Sequence, residues 1–285
     1  VVFGLTQLSD VARASAKGSF FLFLGNTSST LILALGSILV ARLLGPENYG
    51  LYSVALIVPA FLISLGDLGT SPALTRFSAQ FRAQKKDHKV RALIKSGILF
   101  KLLLFPILAL ILLTFSNFIA ENILKRQEIT FLIKLASLYL IGQSIYVTID
   151  SIFIGLDKME ISGLLMNLQA ITKVASSILL ITYGLSTSGA ILGIGLSFIL
   201  ASIIGLILII VRVNPELNSG DGDNIDIIPG LKMMVNYGRP LCVSTLMTSL
   251  LTQYRILILA LFASNYEIGN YNTAMNYTVL ITLLS

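Results

Sequence analysis

Charged residues are scarce in this sequence. Asp, Glu, Lys and Arg make up 12% of the 285 residues, hydrophobic residues make up 55%, and the mean hydropathy is +0.87. A soluble protein needs more polar surface than this composition supplies, because water must wet its exterior. The composition therefore excludes an ordinary soluble domain and predicts a chain surrounded by lipid.

Cysteine and histidine are each present only once. Cys242 alone can form neither an internal disulfide nor a thiolate metal site. His88 lies in a run of lysine and arginine, which favours a solvated charged segment over metal or acid–base chemistry. No phosphate-binding glycine loop or nucleophile–base pair can be assembled, and the acidic segment 214–226 lacks the glutamate that closes a calcium loop. We therefore expect no metal, no cofactor and no enzymatic activity.

Apolar runs of membrane-spanning length fill most of the chain. A helix needs about 20 apolar residues to cross a bilayer, and the runs lack the sustained alternation of a β-strand. The predicted fold class is an all-α polytopic transmembrane helical bundle. Spans are predicted near residues 19–41, 51–74, 97–116, 131–154, 163–184, 189–211 and 240–262, with an incomplete eighth span from about residue 271. Because the chain starts at Val1 and its last apolar run has no closing polar flank, we expect a fragment.

Lysine and arginine cluster in alternate loops. The N-terminal segment and the loops after spans 2, 4 and 6 hold most of them, and the largest group is the basic connection, residues 76–95. Since cytoplasmic loops carry the excess of these residues, we expect a multi-pass protein of the cytoplasmic membrane with a cytoplasmic N-terminus. The basic connection is typical of a segment bound to anionic lipid, which explains the net charge of +6 without a nucleic-acid partner.

An internal repeat is visible when the numbering is shifted by 219 residues. The segment "GPENYGLYSVA" (45–55) then falls on "SNYEIGNYNTA" (264–274), with Gly50 on Gly269. The same shift places span 7 on span 1, and six spans per repeat restore the same orientation. The repeat predicts a first six-span lobe (1–211), a cytoplasmic inter-lobe linker (212–239) and the start of a second lobe (240–285).

Five charged residues lie at membrane depth: Arg42, Asp67, Asp150, Lys173 and Arg255. A charge near the centre of a transmembrane helix costs about 2.5–3.5 kcal/mol, so each should face protein or water. Helical spacing also places polar residues on one face of four spans, namely Asn26, Thr30 and Ser37; Tyr139, Gln143, Tyr146 and Asp150; Gln169, Lys173 and Ser177; and Ser244, Thr248 and Arg255. Four polar faces predict a water-filled central cavity, although serine and threonine also hydrogen-bond helices together in membranes.

The depth of these charges suggests the order in which a transported anionic group would contact them. Lys173 lies near the midplane and Arg255 nearer the outside, whereas Asp67 and Asp150 lie toward the cytoplasm and would pair with the cations or carry a coupling proton. We hypothesise that an anionic headgroup is attracted by the basic connection, held by Lys173 and passed toward Arg255. Of the remaining cations, Lys134 is also assigned to the interior of a span, and Lys101 is counted with the loop after span 2.

The turn "ARLLGPENYGLYSVA" (41–55), followed by "LGDLGTSPALTRFSAQ" (65–80), resembles the polysaccharide-biosynthesis flippases, the O-antigen repeat-unit translocases of the MATE-like MOP exporter superfamily. The resemblance implies alternating access between two lobes and a substrate of oligosaccharide on a polyprenyl diphosphate. It implies membrane lipid and other polysaccharide-assembly membrane proteins as partners. The coupling ion, H⁺ or Na⁺, stays open because Gln253 and Arg255 stand where relatives often have an acidic residue.

The predicted substrate cavity combines this resemblance with the polar helix faces. Three of its members lie in the resembling motif, and the others come from the spacing argument. The full set is Asn26, Arg42, Asp67, Arg76, Gln143, Tyr146, Asp150, Lys173 and Arg255.

Three other functions stay open. A MATE-type multidrug exporter would favour carboxylates facing cationic drugs, and the net charge of +6 and the cavity cations argue against it. A membrane-embedded polymerase, ligase or acyltransferase would need a catalytic group on a sizeable extramembrane loop, and the longest outer loop, about 116–130, offers none. A non-transporting assembly partner would use the polar faces only for packing.

Overall fold

The computed structural model describes residues 2–217 and 227–284, and these residues form helices without any β-strand. Four helical stretches among them are long and apolar enough to cross a membrane: Lys17–Asp67, Asp87–Ile123, Gln127–Gly155 and Met159–Glu216; a fifth candidate bends within 227–262. The first and fourth stretches are 51 and 58 residues long, and each folds back on itself. The predicted class, an all-α polytopic membrane bundle, is confirmed.

The first stretch reverses at Gly45. Helix α1 (Val2–Ala55) has non-helical geometry there, with φ +74° and ψ 164°, a conformation that glycine adopts at little cost. Pro46 follows and suits the first turn of a new helical segment. Tyr49 of the second arm lies beside Ser37 and Val40 of the first, so the two arms run antiparallel.

The second span is broken rather than continuous. Helix α2 (Ile57–Asp67) ends where Leu68 and Gly69 both adopt left-handed geometry, and α3 (Thr70–Ala83) continues from there. The predicted span 51–74 therefore contains a break. Asp67 accounts for it, because its carboxylate accepts hydrogen bonds from the backbone N–H and hydroxyl of Ser71 and so caps the first turn of α3.

The rest of the bundle consists of long helices, three of which end in a π-helical turn. The long helices are α4 (Asp87–Phe118) with π-turn Ile119–Ile123, α5 (Thr130–Gly155), α6 (Met159–Leu180) with π-turn Ile181–Leu185, α7 (Ser186–Leu208) with π-turn Ile209–Val213, α9 (Ile227–Phe262) and α10 (Asn265–Leu284). A 3₁₀ turn, Gln127–Ile129, precedes α5, and the short helix α8 (Asn214–Glu216) follows α7. Gly184, with φ +92°, reverses the chain between α6 and α7. The predicted linker 212–239 is thus helical from Ile227 onward, and its acidic part, 218–226, lies outside the described residues.

Two ends of the bundle are defined by contacts between distant segments. The basic end is the end of the bundle that carries the basic connection, residues 76–95. There Lys158 Nζ lies 2.6 Å from Glu216 Oε1, and Arg91 donates to the Leu217 carbonyl at 2.6 Å. The opposite end joins the reversal at Gly45, the turn 124–129 and the turn 263–264. There Arg126 donates to the Ala263 carbonyl at 2.5 Å.

An apolar cluster packs the helices together toward each end of the bundle. One, around Phe105, Leu112 and Ile133, lies toward the opposite end and includes α9 and α10 residues. The other, around Phe153 and Val90, lies toward the basic end. Many large apolar side chains on the outer helix faces are exposed, as expected where lipid replaces water.

Candidate functional site

A central cleft of ≈ 330 Å³ separates α9 from α2 and α5, midway along these helices. No charged side chain is among the described residues that line it. Its lining consists of Ala60, Ile63, Ser64, Tyr139, Gln143, Thr245, Thr248, Ser249 and Gln253. Hydroxyl and amide groups from two sides therefore face one another across an uncharged space.

Gln143 is a residue of the central cleft whose buried side chain is only partly hydrogen-bonded among the described residues. A hydrogen bond joins its side chain to Tyr139, one turn earlier on α5. Its buried Oε1 has no hydrogen-bond partner among the described residues. A buried acceptor left unpaired costs free energy, so this oxygen favours a ligand or water that donates a hydrogen bond.

Lys173 lies in a second, smaller cavity between α6 and the two arms of α1. This lysine pocket has ≈ 10 Å³, room for about one water molecule. Four hydroxyl-bearing residues line it with the lysine: Ser37, Tyr49, Tyr52 and Ser177. Among the described residues, Lys173 Nζ has neither a hydrogen-bond nor an ion-pair partner. The pocket as it stands is too small for a sugar or a diphosphate.

Asp67 is paired with Lys101, a lysine that the loop pattern places with the basic loop after span 2. Lys101 Nζ lies 2.6 Å from Asp67 Oδ1, and the two side chains are 3% and 14% exposed. The idea that Asp67 pairs with Lys173 or Arg255 is therefore wrong. Lys101 stands four residues inside the predicted span 97–116, which is a signal for a buried partner.

The polar face predicted for span 4 divides between two places. Tyr139 and Gln143 line the central cleft. Tyr146 instead packs edge-to-face on Phe198, with ring centroids 5.4 Å apart. The Asp150 carboxylate accepts a hydrogen bond from the Ser162 hydroxyl on α6, so it too has a partner other than Lys173 or Arg255.

The remaining predicted cavity residues do not converge. Asn26 and Arg42 are exposed on α1. The Arg76 guanidinium lies 4.5 Å from the centre of the Tyr237 ring. Arg255 is exposed, with Nη1 4.0 Å from Met275 Sδ on α10. It is not among the described residues that line the central cleft or the cavity of Lys173, so the structure does not bring it together with Lys173.

Arg126 is a further residue that the sequence did not single out. It lies in the turn before α5 and donates to the carbonyls of Ala260 and Ala263, at the last turn of α9. Asn265 donates to Glu128 at 2.8 Å beside it. The opposite end is therefore closed by hydrogen bonds between the first half of the chain and α9–α10.

Glycines make the closest contacts between the same segments. A Cβ on Gly50 would overlap the Asn265 carbonyl, and a Cβ on Gly269 would overlap the Pro46 carbonyl. Under the 219-residue shift, Gly50 corresponds to Gly269 and Pro46 to Asn265. The contact is thus reciprocal, as it would be between two halves related by a two-fold axis.

Sequence comparison identifies the family. The polysaccharide biosynthesis protein family matches residues 15–284. The chain belongs to this family. Comparison with curated protein sequences gave no match. The suspected polysaccharide-biosynthesis relationship is confirmed.

Solved structures of MATE and MOP superfamily transporters share the fold of this family member. The MATE multidrug transporter DinF-BH has a TM-score of 0.70 at 14% identity, and the eukaryotic MATE transporter AtDTX14 has 0.68 at 14%; each comparison covers 95% of this chain and 61% of the other. A MOP superfamily transporter from Pyrococcus furiosus has a TM-score of 0.60 at 21% identity, over 83% of this chain and 53% of that one. The chain thus spans between about half and three fifths of the length of these transporters.

Proposed function

We propose that this chain belongs to a transporter that flips polyprenyl-diphosphate-linked oligosaccharide repeat units across the cytoplasmic membrane for cell-surface polysaccharide synthesis. The observation that carries the proposal is the lining of the central cleft. The described residues that line it include a tyrosine, a glutamine whose carbonyl oxygen has no partner among them, and several hydroxyls, and none of them is a carboxylate. Sugar hydroxyls donate and accept hydrogen bonds, so an uncharged polar cleft suits them.

The lysine pocket supports an anionic cargo over a cationic drug. Its charged group, among the described residues that line it, is a lysine. The Pyrococcus furiosus MOP superfamily transporter is described by a reverse polarity of its binding pocket, which suggests a different function for that protein. By analogy, a cationic pocket argues against a multidrug role here. The pocket would have to widen before the diphosphate reaches Lys173.

Alternating access is the proposed mechanism. The two halves meet at the opposite end through Gly50 and Gly269, and at the basic end Gly69 packs against Gly238. Glycine pairs let helices approach closely without interlocking side chains, so the contacts at either end can separate while those at the other end persist. A cytoplasmic N-terminus, coupling to H⁺ or Na⁺, and association with other polysaccharide-assembly proteins complete the proposal.

Transport by the full-length protein in proteoliposomes tests the function. A labelled polyprenyl-diphosphate oligosaccharide should reach the far leaflet, whereas a lipophilic cation should not move. Gln143→Ala and Lys173→Gln should each reduce the rate, and Lys134→Gln, which removes an exposed lysine of α5, should not. Transport of the cation alone would instead assign the protein as a multidrug exporter.

A further inference from the structure

The lysine pocket places a cation inside the bundle without a carboxylate beside it. Lys173 precedes Val174, whose side chain packs on Gly36 of α1, so the lysine lies where α6 and α1 are in close contact. None of the described residues that line the pocket carries a negative charge. A charge at membrane depth is costly unless it is paired or hydrated, so the ammonium group favours a partner of opposite charge.

The described carboxylates inside the bundle do not supply that partner. Asp67 is paired with Lys101 at 2.6 Å. Asp150 accepts a hydrogen bond from Ser162, which precedes Lys173 by eleven residues on α6. At 1.5 Å per residue this separation is about 16 Å along the helix axis. The counter-charge of Lys173 is therefore not an acidic side chain of the described bundle.

The acidic segment 218–226 is attached at a different depth. The residues on either side of it, Leu217 and Ile227, both accept hydrogen bonds from side chains of α4 at the basic end. Lys158, at the start of α6, marks the same end through its ion pair with Glu216. Lys173 lies fifteen residues beyond Lys158, about 22 Å along the helix axis. The lysine pocket is therefore remote from both attachment points of that segment.

The hydroxyls of the lysine pocket add hydrogen-bond donors to the positive charge. Ser177 lies one turn after Lys173, and its hydroxyl makes no hydrogen bond among the described residues. Ser37 and Tyr49 are hydrogen-bonded to each other, and Asn276 donates to the Tyr49 hydroxyl at 2.9 Å. This pair of hydroxyls therefore keeps one hydrogen to donate, and the ammonium group has three. A lining with surplus donors and a positive charge suits an anion.

We propose that the lysine pocket binds a chloride ion, held by the Lys173 ammonium group and by hydroxyls of the lining. The volume of ≈ 10 Å³ admits one species about the size of a water molecule, and chloride is close to that size, whereas sulfate is too large. A water molecule would leave the positive charge uncompensated. The proposal concerns the pocket in its closed form and does not rest on the identity of the transported substrate.

Binding of radiolabelled chloride to the purified full-length protein tests the proposal. Equilibrium dialysis in detergent measures the number of ions bound per chain, which should fall by one in Lys173→Met. Lys134→Met removes an exposed lysine of α5 and should bind as many ions as the unmodified protein. Ser177→Ala keeps the charge and should weaken the affinity of the site roughly ten-fold, the equivalent of one hydrogen bond to an ion.

Competing anions then separate the pocket from general attraction of anions. Bromide should displace the radiolabelled chloride, whereas sulfate at the same ionic strength should not, because it does not fit. An unchanged number of ions in Lys173→Met would overturn the proposal and leave the pocket to water. Equal losses in Lys173→Met and Lys134→Met, or displacement by sulfate as strong as that by bromide, would also overturn it. If Lys173→Met fails to fold, Ser177→Ala and the comparison of bromide with sulfate decide the outcome.

Discussion

Lys101 and Lys173 are both lysines inside the bundle, but their surroundings differ. Lys101 is paired with Asp67 at 2.6 Å, and Asp67 also caps α3. Lys173 faces a one-water pocket lined by hydroxyls and has no partner in the described residues of the chain. A charge in the membrane must be compensated, so the first lysine stabilises the fold, whereas the second is available to a ligand.

The largest expected effect comes from breaking the Lys101 pair. Lys101→Met leaves a buried carboxylate uncompensated at the break between α2 and α3, which should destabilise the protein by about 3–5 kcal/mol. The measurement is the temperature at which half of the protein stays monodisperse in detergent. Asp67→Asn combined with Lys101→Met should recover much of the loss. If the losses of stability caused by the two single substitutions add in the double variant instead, the ion pair does not act as a unit.

Lys173→Met should behave in the opposite way. Stability should stay the same or rise, because a charge that costs about 2.5–3.5 kcal/mol at membrane depth is removed. Sugar-lipid transport should fall at least about ten-fold, the equivalent of one lost charged interaction. A loss of stability like that of Lys101→Met would contradict the comparison and give Lys173 a structural role.

Glycine substitutions test the close packing at the opposite end without changing any charge. Gly50→Ala places a methyl group on the Asn265 backbone and should cost about 1–3 kcal/mol, as should Gly269→Ala against Pro46. Gly97→Ala is the matched control, because its Cβ would meet the ends of side chains rather than backbone, Leu74 at 3.1 Å and Thr148 at 3.8 Å. Thermal stability in detergent measures all three. Equal losses at Gly50 and Gly97 would show that the reciprocal contact is not tight.

The smallest effect belongs to an exposed charge. Hydrogen bonds from the Ser264 backbone and hydroxyl lower the pKa of Glu267, which lies at the start of α10 before the predicted span. The stability that the ionised Glu267 carboxylate adds to the first turn of α10 is therefore present above the unfolded pKa of about 4.3. It is lost as the pH falls through the lower pKa of the folded state. Hydrogen exchange of the first turn of α10, corrected for the intrinsic rate, should increase only at that acidic pH. Ser264→Ala should shift the onset upward.

Much of the fold could be predicted because it depends on local patterns. Apolar runs predicted the helices, and Gly45 with Pro46 predicted the first reversal. The break after Asp67 was missed, since a glycine in an apolar run does not reveal a left-handed pair. Of the candidate site, helical spacing placed Tyr139 and Gln143 on a common face, and both line the central cleft. Their role in binding sugar stays a prediction.

The sequence by itself determined residence in a membrane, the all-α class and the family, because hydropathy, periodicity and a local motif suffice for these. Only the tertiary structure decided which charges meet. Asp67 and Lys101 are 34 residues apart, and Arg126 reaches Ala260 of α9 across 134 residues. Spacing along one helix defines a face, but the partner of that face depends on how the helices pack. For this reason Lys173 and Arg255, both deep cations in the sequence, lie in separate places.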